Sequence, residues 1–220
     1  IVQKCYESVC KHSNQKIILL NDQNLADYIR LPDYIEKKKD AGQIPMAGYA
    51  DLMRFALLEH YGGTWIDSTV YLTEPLPDTI LNSDFFAVRN SLLLIDNPVL
   101  YPAWFLHAKK GNKTIREVRN VAFSYWLKNE HVIEYLLPNL IITLVVKSNP
   151  EVEKAIPYMN SDYSEYLVKV LADDYSEEKW NWIKKLTGIH KLTYKLDADI
   201  KHGHNFYDYL ITSSDEKNTK

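Results

Sequence analysis

Apolar and polar positions alternate in blocks along the first part of the chain, and each block predicts a short element. Residues 16–20, KIILL, form a short, mainly apolar run before a polar stretch, which is typical of a buried strand that ends in a loop. A helix is predicted to begin after Pro32 and to end at Gly42. Residues 47–60 contain no proline and repeat their apolar positions at helical spacing, so they predict the clearest helix of the chain.

Strand-forming residues follow that helix, and amphipathic segments fill the second half. The stretch TWIDSTVYL, residues 64–72, is rich in Thr, Trp, Ile, Val and Tyr, and residues 85–88 and 91–95 are two further apolar runs, so three strands are predicted here. Helical spacing then recurs in AWFLHAKK, IREVRNVAFSYWLKN, HVIEYLLPNL and SEEKWNWIKKL. The order predicts an α/β fold, in which an open sheet is followed by a C-terminal helical annex.

Composition limits the kind of protein this chain can be. Its 220 residues are 46% hydrophobic and 25% charged, which predicts one globular domain over 1–210, with an α/β half to about residue 97 and a mainly helical half after it. Residues 211–220 are predicted to form a flexible tail. The net charge of −3 and the lack of a basic stripe argue against nucleic acid as a partner.

Cysteine content and hydropathy indicate a reducing, cytoplasmic location. Cys5 and Cys10 are the only cysteines, and their spacing on a predicted helix points them in different directions, so we expect free thiols. The most apolar window, residues 135–146, is shorter than a membrane span requires. Because the chain begins at Ile1, inside an apparent element and without a signal peptide, we expect that residues precede it.

Two charged residues of the predicted helix can act on one object. Asp51 and Arg54 lie three positions apart and therefore share a helix face. One interpretation is a surface ion pair, which is common and contributes little. The other is a ligand site, because the chain soon brings Asp67 forward on a strand, and the three charged groups are expected to meet at one end of the sheet.

The glycine pair between that helix and that strand also has two interpretations. Gly62 and Gly63 can end the helix with backbone angles that other residues avoid, or they can let a ligand approach the main chain. Asp67 is flanked by the apolar Ile66 and Val70, so it is expected to be at least half enclosed. A half-enclosed carboxylate needs a metal, a hydroxyl or a cation as its partner.

These residues together resemble a known family. The stretch ADLMRFALLEHYGGTWIDSTVYLTEPL is similar to the capsular polysaccharide synthesis group of glycosyltransferases, relatives of those with a DxD sugar-binding region, in which an Asp-x-x-Arg helix precedes Tyr-Gly-Gly and an Asp-containing strand. Weaker similarity extends to NDQN upstream, to DNPVLYPAWFLHAKKGN and to HKLTYK. The resemblance implies a GT-A type, Rossmann-like fold with an open mixed sheet.

The resemblance also implies an activity and the residues that perform it. The expected reaction moves a sugar, with retention at the anomeric carbon, from a nucleotide diphosphate sugar, most simply a UDP-sugar, to a saccharide or lipid-linked saccharide acceptor of bacterial capsular or surface polysaccharide. Asp51 would hold donor hydroxyls, Arg54 the sugar and diphosphate, and Asp67 the ribose and the water shell of a metal. The matched positions expected to contact substrate are Asn21, Tyr61, Gly62, Gly63 and Thr69.

One position departs from the wider DxD pattern. Thr69 stands where those families have a second Asp that binds Mn²⁺ or Mg²⁺, and a hydroxyl is a weaker ligand for such cations. Either Asp67, the diphosphate and a distant ligand hold the cation, or Arg54 and other cations meet the leaving-group charge. His202 and His204 are candidate distant ligands, with a simple polar turn as the alternative, and His190 is a third candidate that could equally cover core.

Trp104 and His107 are candidates for the acceptor side. They lie three apart in a predicted helix, so a ring that stacks on sugar and an imidazole that assists the acceptor hydroxyl could share one face. Core packing is the alternative for Trp104. Peripheral contact with the inner face of the membrane would follow from a lipid-linked acceptor.

Two other functions compete with the transferase. A non-catalytic protein that binds nucleotide sugars would account for Thr69 and for the missing N-terminal strand. A phosphatase of the haloacid dehalogenase type also presents an Asp from a strand, as in WIDSTVYLT, but its motif stands near the start of the domain and usually has a second acid two residues on.

Overall fold

The computed structural model describes residues 1–91, 96–196, 200 and 203–213, and within them the chain is a mixed α/β protein with short strands. The strands are β1 Gly63–Ile66, β2 Val70–Leu72, β3 Phe85–Ala87, β4 Phe105–Ala108 and β5 Ile189–Lys191. The helices are α1 Val2–His12, α2 Leu25–Tyr28, α3 Asp33–Asp40, α4 Met46–Tyr61, α5 Asp78–Leu81, α6 Lys113–Lys128, α7 Leu137–Lys147, α8 Pro150–Ala155, α9 Ser161–Ser164, α10 Tyr166–Lys169, α11 Glu177–Leu186 and α12 Phe206–Thr212.

The chain divides into two compact units. The larger unit contains residues 18–66 and 77–160, and the smaller one contains residues 1–17, 67–76 and 161–220. The boundary at Ile66 and Asp67 runs through the predicted strand TWIDSTVYL, so β1 and β2 belong to different units.

The larger unit is built on a three-stranded antiparallel sheet and the helix α4. Its strand order is β1-β4-β3, and Thr64 lies opposite His107, which in turn lies opposite Phe86. The other face of the sheet carries Trp65 and Leu106, which belong to the same apolar cluster as α4, α6 and α7. Nearly every side of α4 is buried, because its apolar residues surround the helix rather than forming one stripe.

The smaller unit pairs β2 with β5 in antiparallel register and packs α1 against them. The hydroxyl of Ser8 accepts a hydrogen bond from the amide of Leu72 at 2.9 Å and donates to the carbonyl of Cys5 at 2.7 Å, which joins α1 to β2. Leu167, Ile183 and Phe206 fill the core of this unit and are wholly buried.

Several sequence predictions are confirmed. The helices after Pro32 and over residues 47–60, and the helical segments over residues 115–129 and 176–186, correspond to α3, α4, α6 and α11. The strand over residues 85–88 corresponds to β3. Both cysteines are free thiols on α1, Cys5 buried and Cys10 exposed. Burial raises the pKa of Cys5 to about 12.

Two predicted elements are wrong. Residues 16–20 form no strand, and Ile18 and Leu19 are exposed, because no strand among the described residues supplies ladder hydrogen bonds to them. The segment AWFLHAKK is not a helix: Phe105–Ala108 is the central strand β4, buried throughout. A short, mainly apolar run fits a buried strand as well as a helix, and here β1 and β3 flank it with hydrogen-bonding partners.

Four other predictions are confirmed only in part or concern residues outside the described ranges. The stretch TWIDSTVYL is two strands separated by a turn, since the amide of Val70 donates to the carbonyl of Asp67 at 2.9 Å. In HVIEYLLPNL the helix starts only at Leu137. Residues 92–95 and the tail from residue 214 lie outside the described residues.

The coarse fold class is confirmed and the finer one is not. Helices combine with β-sheets as expected, but the strands named above pair only antiparallel, whereas we expected an open mixed sheet. The GT-A type, Rossmann-like assignment therefore stays a prediction. None of the helices in the described part of the chain is long and apolar enough to span a bilayer.

Candidate active site

Asp51 and Arg54 form an ion pair inside the larger unit. Nη1 of Arg54 lies 2.6 Å from Oδ1 of Asp51, and the side chains are 7% and 19% exposed, respectively. The guanidinium of Arg54 also lies over the indole of Trp65, 4.8 Å from the ring centroid. The helix face thus brings the two residues together as predicted, but the pair is not on the surface. A buried, stacked guanidinium is held in one orientation.

Tyr61 and the two glycines form the corner between α4 and β1. The hydroxyl of Tyr61 donates to the carbonyl of Tyr28 at 2.8 Å, while the residue as a whole is 49% exposed. Gly62 has φ +72°, and a Cβ at this position would lie 2.5 Å from the amide nitrogen of Lys110. Gly63 has φ +95° and open space around it. Gly62 therefore serves the backbone packing of this corner, which is the structural interpretation of the pair.

The turn after β1 holds a carboxylate and a hydroxyl beside an ammonium group. Nζ of Lys191 donates a hydrogen bond to Oγ1 of Thr69 and lies 3.7 Å from Oδ2 of Asp67. Thr69 is buried, whereas the side chains of Asp67 and Lys191 are 28% and 24% exposed, respectively. All three residues belong to the smaller unit.

The β2–β5 ladder explains how Lys191 reaches this turn. Val70 pairs with Lys191 in antiparallel register, and the amide of Leu192 donates to the carbonyl of Thr69 at 2.8 Å. Our sequence predictions did not single out Lys191. The only sequence signal was its place in HKLTYK, a stretch that resembles the family. Lys191 and Thr69 are 122 residues apart in the chain, so no local pattern connects them.

These residues do not fit the expected Mn²⁺ or Mg²⁺ site. A divalent cation between Asp67 and Thr69 would have to share the space with the Lys191 ammonium, and like charges repel at such distances. Within the described ranges, no three His, Cys, Asp or Glu side chains form a group that could hold a metal ion. His204 is exposed and belongs to no such group, and His202 lies outside the described residues.

His190, the third candidate ligand, is a core residue of the smaller unit. It is wholly buried, and its Nε2 lies 3.1 Å from Oγ1 of Thr73. Its ring is 6.4 Å from the ring of Trp180. Burial lowers the pKa of His190 to about 4, so the imidazole is neutral near pH 7.

The acceptor candidates do not share a helix face, because the segment is not helical. Trp104 precedes β4 and is buried, and its ring packs edge-on against Phe105 at 6.1 Å between centroids. His107 lies in β4, where its Nδ1 is 2.8 Å from Oγ1 of Thr64. Burial, and then the positive charge of Lys109, lower the pKa of His107, which favours the neutral imidazole. Both are packed within the larger unit, as the core alternative for Trp104 predicted.

Asn21 shapes the loop before α2. Its side-chain oxygen accepts hydrogen bonds from the amides of Gln23 at 2.9 Å and Asn24 at 3.2 Å, which forms an Asx turn. The residue is exposed, so a ligand can reach it. Its predicted role in substrate binding remains a prediction.

The expected convergence of three charged groups also remains a prediction. Asp51 and Arg54 belong to the larger unit, and Asp67 belongs to the smaller one. Within each unit the geometry is defined: a buried carboxylate–guanidinium pair in one, and a carboxylate–hydroxyl–ammonium group in the other.

Comparison with known proteins defines the family. The family of capsular polysaccharide synthesis proteins matches residues 1–210, and the chain belongs to this family. No curated protein is significantly similar in sequence. A solved structure, the PaToxG glycosyltransferase, shares 12% sequence identity with this chain over 88% of this chain and 62% of its own length, with a TM-score of 0.41. The chain thus spans about 62% of the length of that protein.

Proposed function

We propose that this protein is a glycosyltransferase of capsular polysaccharide synthesis. It moves a sugar, with retention, from a nucleotide diphosphate sugar, most simply a UDP-sugar, to a saccharide or lipid-linked saccharide acceptor. The observation that carries the proposal is the family match over residues 1–210. The expected cytoplasmic location and the peripheral contact with the membrane remain predictions.

The buried ion pair of the larger unit supports a role in donor binding. A carboxylate accepts hydrogen bonds from sugar hydroxyls, and a guanidinium offers paired donors to phosphate oxygens, so Asp51 and Arg54 suit the sugar and the diphosphate. Their mutual contact at 2.6 Å fixes both side chains before substrate arrives. Asp67, at 28% side-chain exposure, can accept hydrogen bonds from the ribose.

The proposed reaction exchanges one bond at the anomeric carbon. The bond to the diphosphate oxygen breaks and its electron pair stays on the leaving diphosphate, while the acceptor oxygen forms the new bond on the same face of the sugar. The acceptor hydroxyl proton passes to the leaving diphosphate. The protein has to stabilise the charge that develops on that leaving group, which is where positive side chains act.

The test is release of nucleoside diphosphate from a panel of labelled nucleotide sugars, with and without saccharide acceptors. We expect acceptor-dependent release for one donor of the panel, with a product whose anomeric configuration by NMR matches the donor. Calorimetry on the same panel separates the alternative, a non-catalytic nucleotide-sugar binder. A donor that binds but is neither hydrolysed nor transferred with any acceptor would contradict the transferase and support the binder.

A further inference from the structure

The contact of Lys191 with the turn at residues 67–70 places a positive charge at a position where a metal ion was expected. The ammonium donates to the hydroxyl of Thr69 and lies 3.7 Å from the carboxylate of Asp67. Both partners come from one turn, and Lys191 comes from a strand that pairs with the residues directly after that turn. The backbone pairing of β2 with β5 thus positions Lys191 beside the turn.

The ammonium retains the capacity to bind an anion. A lysine ammonium carries three N–H donors, and the hydrogen bond to Thr69 uses one of them, while Asp67 at 3.7 Å is an ion-pair contact. Another donor can go to a ligand oxygen, and the side chain of Lys191 is 24% exposed. Phosphate oxygens are strong acceptors for such charge-assisted bonds.

The surroundings of Lys191 favour an anion over a second cation. Asp67 supplies a carboxylate and Thr69 a neutral oxygen at the Lys191 ammonium, so a divalent cation bound between these two residues would be repelled by the charge of Lys191. Lys191 also lies close enough to Cys5 and Glu165 to lower the pKa of each, although burial is the larger effect and raises both.

We propose that Lys191, in place of a divalent cation, binds the diphosphate of the donor and stabilises the charge on the leaving nucleoside diphosphate. Donor binding and sugar transfer then require no added Mn²⁺ or Mg²⁺. Asp67 and Thr69 act as positioning residues that hold the ammonium, in addition to any contact of Asp67 with the ribose. The proposal rests on the proposed transferase function and specifies the chemistry of its diphosphate site.

The first experiment uses the wild-type protein alone. UDP, GDP, CDP and ADP are titrated by calorimetry after treatment with EDTA, and again with millimolar Mn²⁺. We expect the preferred nucleotide to bind in EDTA with an affinity that Mn²⁺ changes by no more than about twofold, since the fixed ammonium supplies the positive charge. Binding that appears only with Mn²⁺ would overturn the role of Lys191 and leave the transferase proposal intact.

The second experiment removes the charge and then restores it. Lys191→Met is expected to weaken binding of the same nucleotide about 10- to 100-fold, the range for one hydrogen bond from a charged group. Lys191→Arg should recover most of the affinity because it keeps a positive charge. Lys185→Met, at an exposed position of α11 in the same unit, is the matched control and should bind like wild type.

The outcomes separate the two proposals. Normal affinity in Lys191→Met would overturn the role of Lys191, whereas wild-type binding and transfer would still support the transferase. If Lys191→Met does not fold, as judged by circular dichroism, the EDTA comparison on wild type still tests the cation independence that the proposal requires, and binding only with Mn²⁺ overturns it. A wild-type protein that binds no nucleoside diphosphate in either condition would overturn the transferase proposal itself.

Discussion

Nη1 of Arg54 lies 2.6 Å from Oδ1 of Asp51, and the two side chains are 7% and 19% exposed, respectively. The pair is therefore desolvated, and its guanidinium also stacks on Trp65. Asp51 and Arg54 are therefore both proposed substrate contacts and partners in an interaction that stabilises the larger unit. Variants made to test activity at these positions need a measurement of stability beside them.

Replacing Asp51 by Ala should destabilise the protein by about 3 kcal/mol, because it leaves the Arg54 charge buried without its carboxylate. Removing both charges, as Asp51→Ala with Arg54→Leu, should cost less than the sum of the single variants. Urea unfolding of the wild type, the two single variants and the double variant measures the coupling. Additive losses would contradict a desolvated pair.

In Asp51→Asn, which keeps an acceptor oxygen, sugar transfer should fall at least about tenfold.

Replacing Asp67 by Asn should reduce sugar transfer at least about tenfold while leaving the fold intact. The turn bond to Val70 comes from the main chain of Asp67, and a partly exposed ion pair contributes only about 0–1 kcal/mol. Release of nucleoside diphosphate and the melting temperature are the two measurements. Asp40→Asn on α3, with a side chain 74% exposed, is the matched control. Near-normal transfer in Asp67→Asn would remove this residue from the site.

Replacing Gly62 by Ala should destabilise the protein by about 2 kcal/mol or more, because the added Cβ would lie 2.5 Å from the backbone nitrogen of Lys110 at a positive φ. Gly48→Ala is the contrasting variant. Its Cβ would lie 3.7 Å from Ile44, and alanine in a helix is favoured by about 0.5–1 kcal/mol, so this variant should gain stability. Denaturant unfolding checks both signs, and equal effects would refute the steric explanation.

The buried His190 should make the protein sensitive to mild acid. Burial lowers its pKa from 6.5 to about 4, so the unfolded chain binds a proton that the folded chain refuses between these values. Its contribution to stability is complete above pH 6.5 and is lost as the pH falls towards 4. Between pH 7 and pH 5, wild type should lose about 2 kcal/mol more than His190→Gln. Urea unfolding at both values measures this, and equal losses would disprove it.

An element could be predicted when its own residues specify it, and could not when distant residues do. The helix α4 has no internal proline and ends at a glycine with positive φ, so its own residues specify it. The segment of β4 is a strand because β1 and β3 pair with it on either side. Neither partner is adjacent to it in the sequence. Residues 105–108 are a short, mainly apolar run whose own pattern does not distinguish a helix from a buried strand.

The candidate site shows the same division. The shared face of Asp51 and Arg54 follows from helical spacing, and their contact is confirmed. The burial of that pair, by contrast, depends on Trp65 and the core around it. Trp104 and His107 were expected on one helix face, and this was wrong because the helix is absent there.

The sequence by itself determined the family, the spacing of the charged pair, and the glycine that turns the chain between α4 and β1. Each of these depends on residues that are close in the chain. Only the tertiary structure decided that Thr69 and Asp67 face the ammonium of Lys191, because that contact requires an antiparallel ladder between segments more than 100 residues apart. Pairing over such a separation is selected by the packing of the whole unit, and no local pattern encodes it.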